Sequence, residues 1–251
     1  VAIVAGLVFI GGINRIANFA QLVVPFMALI YIVFSIIILI KFRANLPSTI
    51  KTIFQAAFTT KAAAGGALGF GIKKALVMGV ARGLFSNEAG MGSTPHAHAT
   101  AIVKHPIEQG YTAMVGVFID TMIVCTATAL IILSTKANEF GLEGALVTQK
   151  AFELGFGNLG KILLSISLTF FSFTTIVGWY YFGETNIKFL FGKKGLTPYR
   201  IIVLFFIIWG STREIELVWN LSDLFNSLMV IPNVIALFYL HKDVKKMIKE
   251  Y

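Results

Sequence analysis

The 251-residue chain predicts an all-α protein that crosses a membrane several times, and three observations carry that expectation. Hydrophobic residues make up 57% of it, charged residues only 13%, and the mean hydropathy is +0.81. A soluble domain is about 45–50% apolar and about a quarter charged, so no soluble core could hide this much apolar side chain. Several apolar runs also reach about 20 residues, the length that spans a hydrocarbon layer as helix. The third observation is a Gly-rich, carboxylate-bearing interruption at residues 82–101, set among those runs.

The formal charge of +9 is then read as Lys and Arg at the cytoplasmic ends of helices, facing anionic lipid headgroups. No basic face with interleaved aromatics points to nucleic acid. The single cysteine, Cys125, sits in an apolar run and reads as a small buried hydrophobe.

Each element follows from composition and length. Val1–Ile10 is too short to span and reads as the tail of a helix begun upstream; with no Met or cleavage signal, the expectation is the C-terminal part of a longer protein. Ala20–Ile40 is a full span with Pro25 as a kink near one end. Tyr111–Leu133 is a second span and carries Asp120. Leu159–Phe182 is a third, rich in Ser and Thr. Leu196–Ser211 is a short fourth, and Leu217–Leu240 a fifth, polar in its first half. In His241–Tyr251, Lys242, Lys245, Lys246 and Lys249 oppose Val244, Met247 and Ile248, which predicts an amphipathic cytoplasmic tail on the membrane surface.

Charge orients the C-terminal half. Lys136, Lys150 and Lys161 balance Glu139, Glu143 and Glu153, so residues 134–161 read as external. Lys188, Lys193, Lys194 and Arg200 against Glu184 make residues 184–200 cytoplasmic. The N-terminal half is ambiguous. Lys41, Arg43, Lys51 and Lys61, with no acid among them, would place that loop inside and make residues 62–108 re-entrant; a broken crossing over 66–104 would place it outside. The broken crossing is favoured.

The interruption itself carries the functional signal. Gly83, Gly90, Gly92 and Pro95 undermine a helix, while Ser86, Asn87, Glu88, Ser93 and Thr94 bring polar groups. Irregular backbone survives at membrane depth only where protein or a watery cavity surrounds it, and secondary transporters build mid-membrane sites this way. The run Gly83-Leu84-Phe85-Ser86-Asn87-Glu88-Ala89-Gly90-Met91-Gly92-Ser93 resembles a signature of the sodium:alanine (amino-acid carrier) symporter family. Gly116–Thr121, Thr175–Glu184, and Trp219 through Asp223, Asn226 and Met229 to Ile231-Pro232-Asn233 fit the same family in the same order.

That resemblance implies a leucine-transporter-like inverted-repeat bundle. This chain would run from the end of its helix 4 through helix 10, as one transmembrane transporter domain over residues 1–251. Helix 6 would be broken at the signature, and helix 1, the other broken helix, would lie in a missing N-terminal part. It also implies symport of a small neutral amino acid, alanine or glycine, with Na⁺ as the coupling ion, in the plasma membrane with a cytoplasmic C-terminus. No other cofactor is expected.

Freed N–H groups at the break could bind a substrate carboxylate and freed C=O groups its ammonium, which makes Asn87, Gly90, Met91, Gly92 and Ser93 the candidate substrate contacts. Thr175 and Trp179, four apart, share a helix face; Trp179 would wall the pocket. The resemblance makes Thr174 and Thr175 candidate sodium ligands, although such hydroxyls also bond back to their own helix. Glu88 could attract Na⁺, carry a proton, or pair with Arg82 or the freed N–H groups. Asp120, Asp223 and Asn226 either line the pathway or join helices by hydrogen bonds.

Rival readings are weaker. His96, His98 and His105 lack the spacing and companions of a metal site. Gly90-Met91-Gly92 lacks the strand–turn–helix setting of a nucleotide loop. A hydrolase would need Ser86 or Ser93 with His96 as acid–base pair, without the usual elbow. A channel would need a continuous polar face. A proton-coupled carrier with Glu88 or Asp120 titrating is the alternative within transport.

Overall fold

Apolar runs close their backbone hydrogen bonds within themselves, and the described residues are helices joined by turns, bends and short irregular segments. The computed structural model describes residues 3, 5, 6, 9, 12–58, 77 and 79–251, and for 12–20 and 56–58 the backbone. The elements are α1 (Gly12–Lys41), a 3₁₀ turn, α2 (Leu46–Phe58), α3 (Pro95–His98), α4 (Pro106–Phe118), a π-helix (Ile119–Cys125), α5 (Thr126–Ser134), a second 3₁₀ turn, α6 (Ala145–Phe156), α7 (Asn158–Phe191), a third 3₁₀ turn, α8 (Leu196–Ser211) and α9 (Ile215–Glu250). Residues 81–87 are also helical. Much of Val1–Ile10, and the part of the expected broken crossing up to residue 76, lie outside the described residues.

Four segments are long and apolar enough to cross a bilayer: Gln21–Lys41, Pro106–Ser134, Asn158–Ser211 (which holds both α7 and α8) and Ile215–Glu250. Their outer faces stay uncovered by protein; Phe225 is 64% exposed and Phe238 74%. Such faces are untenable in water and natural against lipid. The protein is a multi-pass membrane protein.

Boundaries differ from the expected ones where hydropathy is a poor guide to helix ends. Pro25 lies inside α1 without ending it. Pro232 likewise lies inside α9, and α9 runs from Ile215 to Glu250, so that residues 241–250 continue the span as one helix. The expected span 111–133 is three pieces, because residues 119–125 take π geometry. Helix α6 occupies much of what charge alone marks as a loop.

The chain divides into two compact units. The first comprises Val1–Leu22, Leu84–Val117 and Ser172–Tyr251, the second Val23–Gly83 and Phe118–Phe171. In the second, Ile38, Ile131, Ala151, Phe152 and Leu164 form the buried core. The Tyr31 ring lies on Phe152 at 5.5 Å and edge-on to Phe171 at 5.9 Å, and its hydroxyl pairs with Thr128 Oγ1 at 2.5 Å. Gly155 has no room for a side chain: a Cβ there would lie 2.6 Å from Ile38 Cγ1.

Two hydrogen bonds in this unit tie the loop after α1 to two helix ends. Lys41 Nζ donates to the Gly155 carbonyl at 2.7 Å, and Asn45 Nδ2 to the Ser134 carbonyl at 2.8 Å. Both carbonyls are at helix C-termini, where the ladder leaves acceptors open and a cation is favoured. Residues 41–45 are therefore at the same end of this unit as residues 134 and 155.

In the first unit, α8 folds back along the second half of α7. Tyr199 Oη donates to the Tyr180 carbonyl at 3.0 Å. Arg200 Nε donates to Tyr180 Oη at 3.0 Å and pairs with Glu184 at 3.4 Å. Phe9 stacks flat on Tyr180, and Ala5, Phe173 and Val177 complete the core.

Candidate functional site

The helix ending at residue 87 stops because the next residues turn left-handed. Glu88 has φ +54°, Gly90 +82° and Gly92 +98°. The two glycines adopt this freely, whereas at Glu88 it costs about 1–2 kcal/mol. The turn compensates through its own polar groups. Met91 N–H donates to the Glu88 carbonyl at 3.0 Å, Ala89 N–H to Asn87 Oδ1 at 3.3 Å, and Ser93 Oγ to Glu88 Oε2 at 2.6 Å. Ser93 is fully buried and Met91 nearly so. Pro95, preset for a first helical turn, then opens α3.

The predicted break is therefore real, and its carboxylate is joined to Ser93. The Ser93 hydroxyl is one partner of the Glu88 carboxylate. The histidines pair with amides: His98 Nδ1 with Gln109 Nε2 at 2.7 Å, and His96 Nε2 with Asn186 Nδ2 at 3.1 Å.

Beside the break, the first unit contains a cavity of about 490 Å³, within the usual range for small-molecule sites. Its walls are mainly aromatic: Phe85 from the helix before the break, Trp179 from α7, Phe206 and Trp209 from α8, and Phe225 from α9. Thr175, Ser222 and Asn226 are its polar lining. The Phe85 and Trp179 rings are parallel with centroids 6.4 Å apart, and Trp219 meets Phe85 edge-on at 5.5 Å, both within the range of favourable aromatic pairs.

Thr175 and Trp179, expected to share a helix face, both line the cavity, and Asn226 of α9 lines it as well. Thr174, one residue before Thr175, does not line this cavity, and neither do Asn87, Gly90, Met91, Gly92 or Ser93, which form the adjoining turn. Asp223 is on α9, partly buried. Asp120 belongs to the second unit and lies in the first turn of the π-helix, a distortion that often marks functional positions.

Two residues of weight were not singled out by sequence. Phe85 is inside the signature, where it figures only as part of that run. Asn233 donates to the Gly90 carbonyl at 2.9 Å; the available signal was its spacing of seven from Asn226, which continues one face of α9.

A broken, internally bonded helix beside an aromatic cavity, within a multi-pass bundle, has the architecture of a membrane transporter. Comparison with known proteins agrees: the model of the sodium:alanine symporter family matches residues 1–251, and the chain belongs to that family, one of transporters and not enzymes. It is 41% identical to an uncharacterized transporter of Haemophilus influenzae, over 100% of this chain and 56% of that protein. It is 44% identical to the probable sodium/glutamine symporter GlnT of Bacillus subtilis, over 99% of this chain and 52% of that protein. With the sodium/alanine symporter AgcS of Methanococcus maripaludis the identity is 39%, over 95% and 52%. The chain spans about half the length of these relatives.

Proposed function

We propose that this chain is part of a sodium-coupled symporter for a small neutral amino acid, alanine or glycine, working by alternating access. The observation that carries the proposal is the left-handed turn at 88–92 inside the family signature, which holds main-chain groups out of the helical ladder next to a cavity. Zwitterions need such groups: N–H for the carboxylate, C=O for the ammonium. Trp179 then bounds the space left for the side chain, and Thr175, with Thr174 behind it, offers hard oxygen to Na⁺, as hard cations prefer. Na⁺ favours the conformer in which the substrate site is complete, and both ions and substrate leave when the opposite side opens.

The reading includes a leucine-transporter-like arrangement, with this chain contributing the end of helix 4 through helix 10 as one transporter domain. It sits in the plasma membrane with the 241–251 tail cytoplasmic. The relatives named for alanine and for glutamine support amino-acid symport and leave side-chain size as the point to test.

The experiment is uptake of radiolabelled alanine, glycine and glutamine by the intact transporter, with Na⁺ replaced by choline at fixed pH. Uptake should vanish in choline; uptake that persists there and follows a pH gradient would favour the proton-coupled alternative. Trp179→Leu should admit larger side chains. An unchanged substrate profile removes Trp179 from the pocket.

A further inference from the structure

The unwound segment has a carbonyl held by a side chain from another helix. Asn233 Nδ2 donates to Gly90 O at 2.9 Å, joining residues 143 positions apart in sequence. The approach is so close that Gly92 cannot carry a side chain: a Cβ there would be 2.9 Å from Asn233 Cβ and 3.5 Å from the Met229 carbonyl. Gly92 is also left-handed, at φ +98°, so two separate constraints require glycine at this position.

Asn233 is also in register with the cavity. Ser222, Asn226, Met229 and Asn233 follow one another at intervals of four, three and four, which is one face of a helix. All four are partly buried, whereas Leu228, Ile231 and Pro232 beside them are exposed. Ser222 and Asn226 line the cavity, and Asn233 lies about 10 Å further along the axis. One face of α9 therefore forms a cavity wall at one end and grips the break at the other. Pro232, next to Asn233, has no N–H to give to α9's ladder, so the grip is at a point where that helix lacks a bond.

We propose that Asn233 is a positioning residue for substrate binding: its amide fixes the Gly90 carbonyl, and with it the orientation of the Gly90–Ser93 main chain that the substrate meets. This rests on the reading of the break as part of an amino-acid site. Asn233 itself touches the break and not the substrate, so its loss changes where binding groups point.

The test compares Asn233→Asp, which keeps the size and loses the donor, with Asn233→Ala in the intact transporter. Both should raise the half-saturating substrate concentration five- to tenfold, with maximal uptake per transporter in the membrane within twofold of wild type. A lower amount in the membrane with unchanged half-saturation would mean that Asn233 only packs, and overturns the proposal.

A second measurement is independent of transport. With Met91→Cys in an otherwise cysteine-free background, alkylation should be slow with Asn233 and at least tenfold faster with Asn233→Asp. Faster alkylation in a protein that takes up no amino acid would keep the anchor and remove the transport reading. Unchanged alkylation together with unchanged half-saturation in a working transporter removes the anchor.

Discussion

Ser93 Oγ donates to Glu88 Oε2 across 2.6 Å, closing a turn of which Glu88 is the left-handed first residue and Ser93 the fully buried last. The bond joins the two ends of the break, so the carboxylate acts as a clasp on the main chain whatever else it does.

Removing the donor should therefore loosen the turn. Ser93→Ala is expected to lower the stability of the purified protein by about 1.5–3 kcal/mol, the range for a hydrogen bond to a charged group, and to weaken substrate binding. Glu88→Gln, whose amide oxygen still accepts, should cost less than Glu88→Ala, which leaves the buried Ser93 hydroxyl unmatched. Thermal unfolding in detergent ranks the three; Glu88→Gln as damaging as Glu88→Ala would assign the charge, and not the clasp, the main role.

Lys41 and Asn45, by capping the helices that end at Gly155 and Ser134, fix which loops share a side. Single cysteines at Lys51 and Glu143 should react with a membrane-impermeant maleimide from the same side. A cysteine at Lys193, beyond the 34-residue α7, should react only from the other. Labelling of positions 51 and 143 from opposite sides would contradict the shared side.

Gly155 and Ile38 meet without space for a methyl group. Gly155→Ala should destabilise by about 1–3 kcal/mol through overpacking, and Ile38→Ala by about 2–5 kcal/mol through the cavity it leaves. Because the new methyl occupies part of that cavity, the double variant should be at least about 1 kcal/mol more stable than the sum of the two losses predicts. Additive losses would show that the backbone shifts instead.

The membrane-spanning character, the family and the position of the break were legible in the sequence, because bilayer thickness and the cost of open backbone act on composition and length. The Thr175 and Trp179 pairing was legible for the same kind of reason, a fixed helical period. The π-turn at Asp120 was not: it shifts hydrogen bonds along the backbone without a characteristic residue. Nor was Asn233 on Gly90, since a contact between residues so distant is made by packing.

All three indoles of this chain are at one place. Trp179 and Trp209 line the cavity and Trp219 lies against Phe85, which makes the cavity's occupancy an optical property of the chain. An arriving ligand alters the surroundings of every indole emitter together, and with no second set elsewhere in these residues to dilute the change, intrinsic fluorescence becomes a label-free gauge of that space.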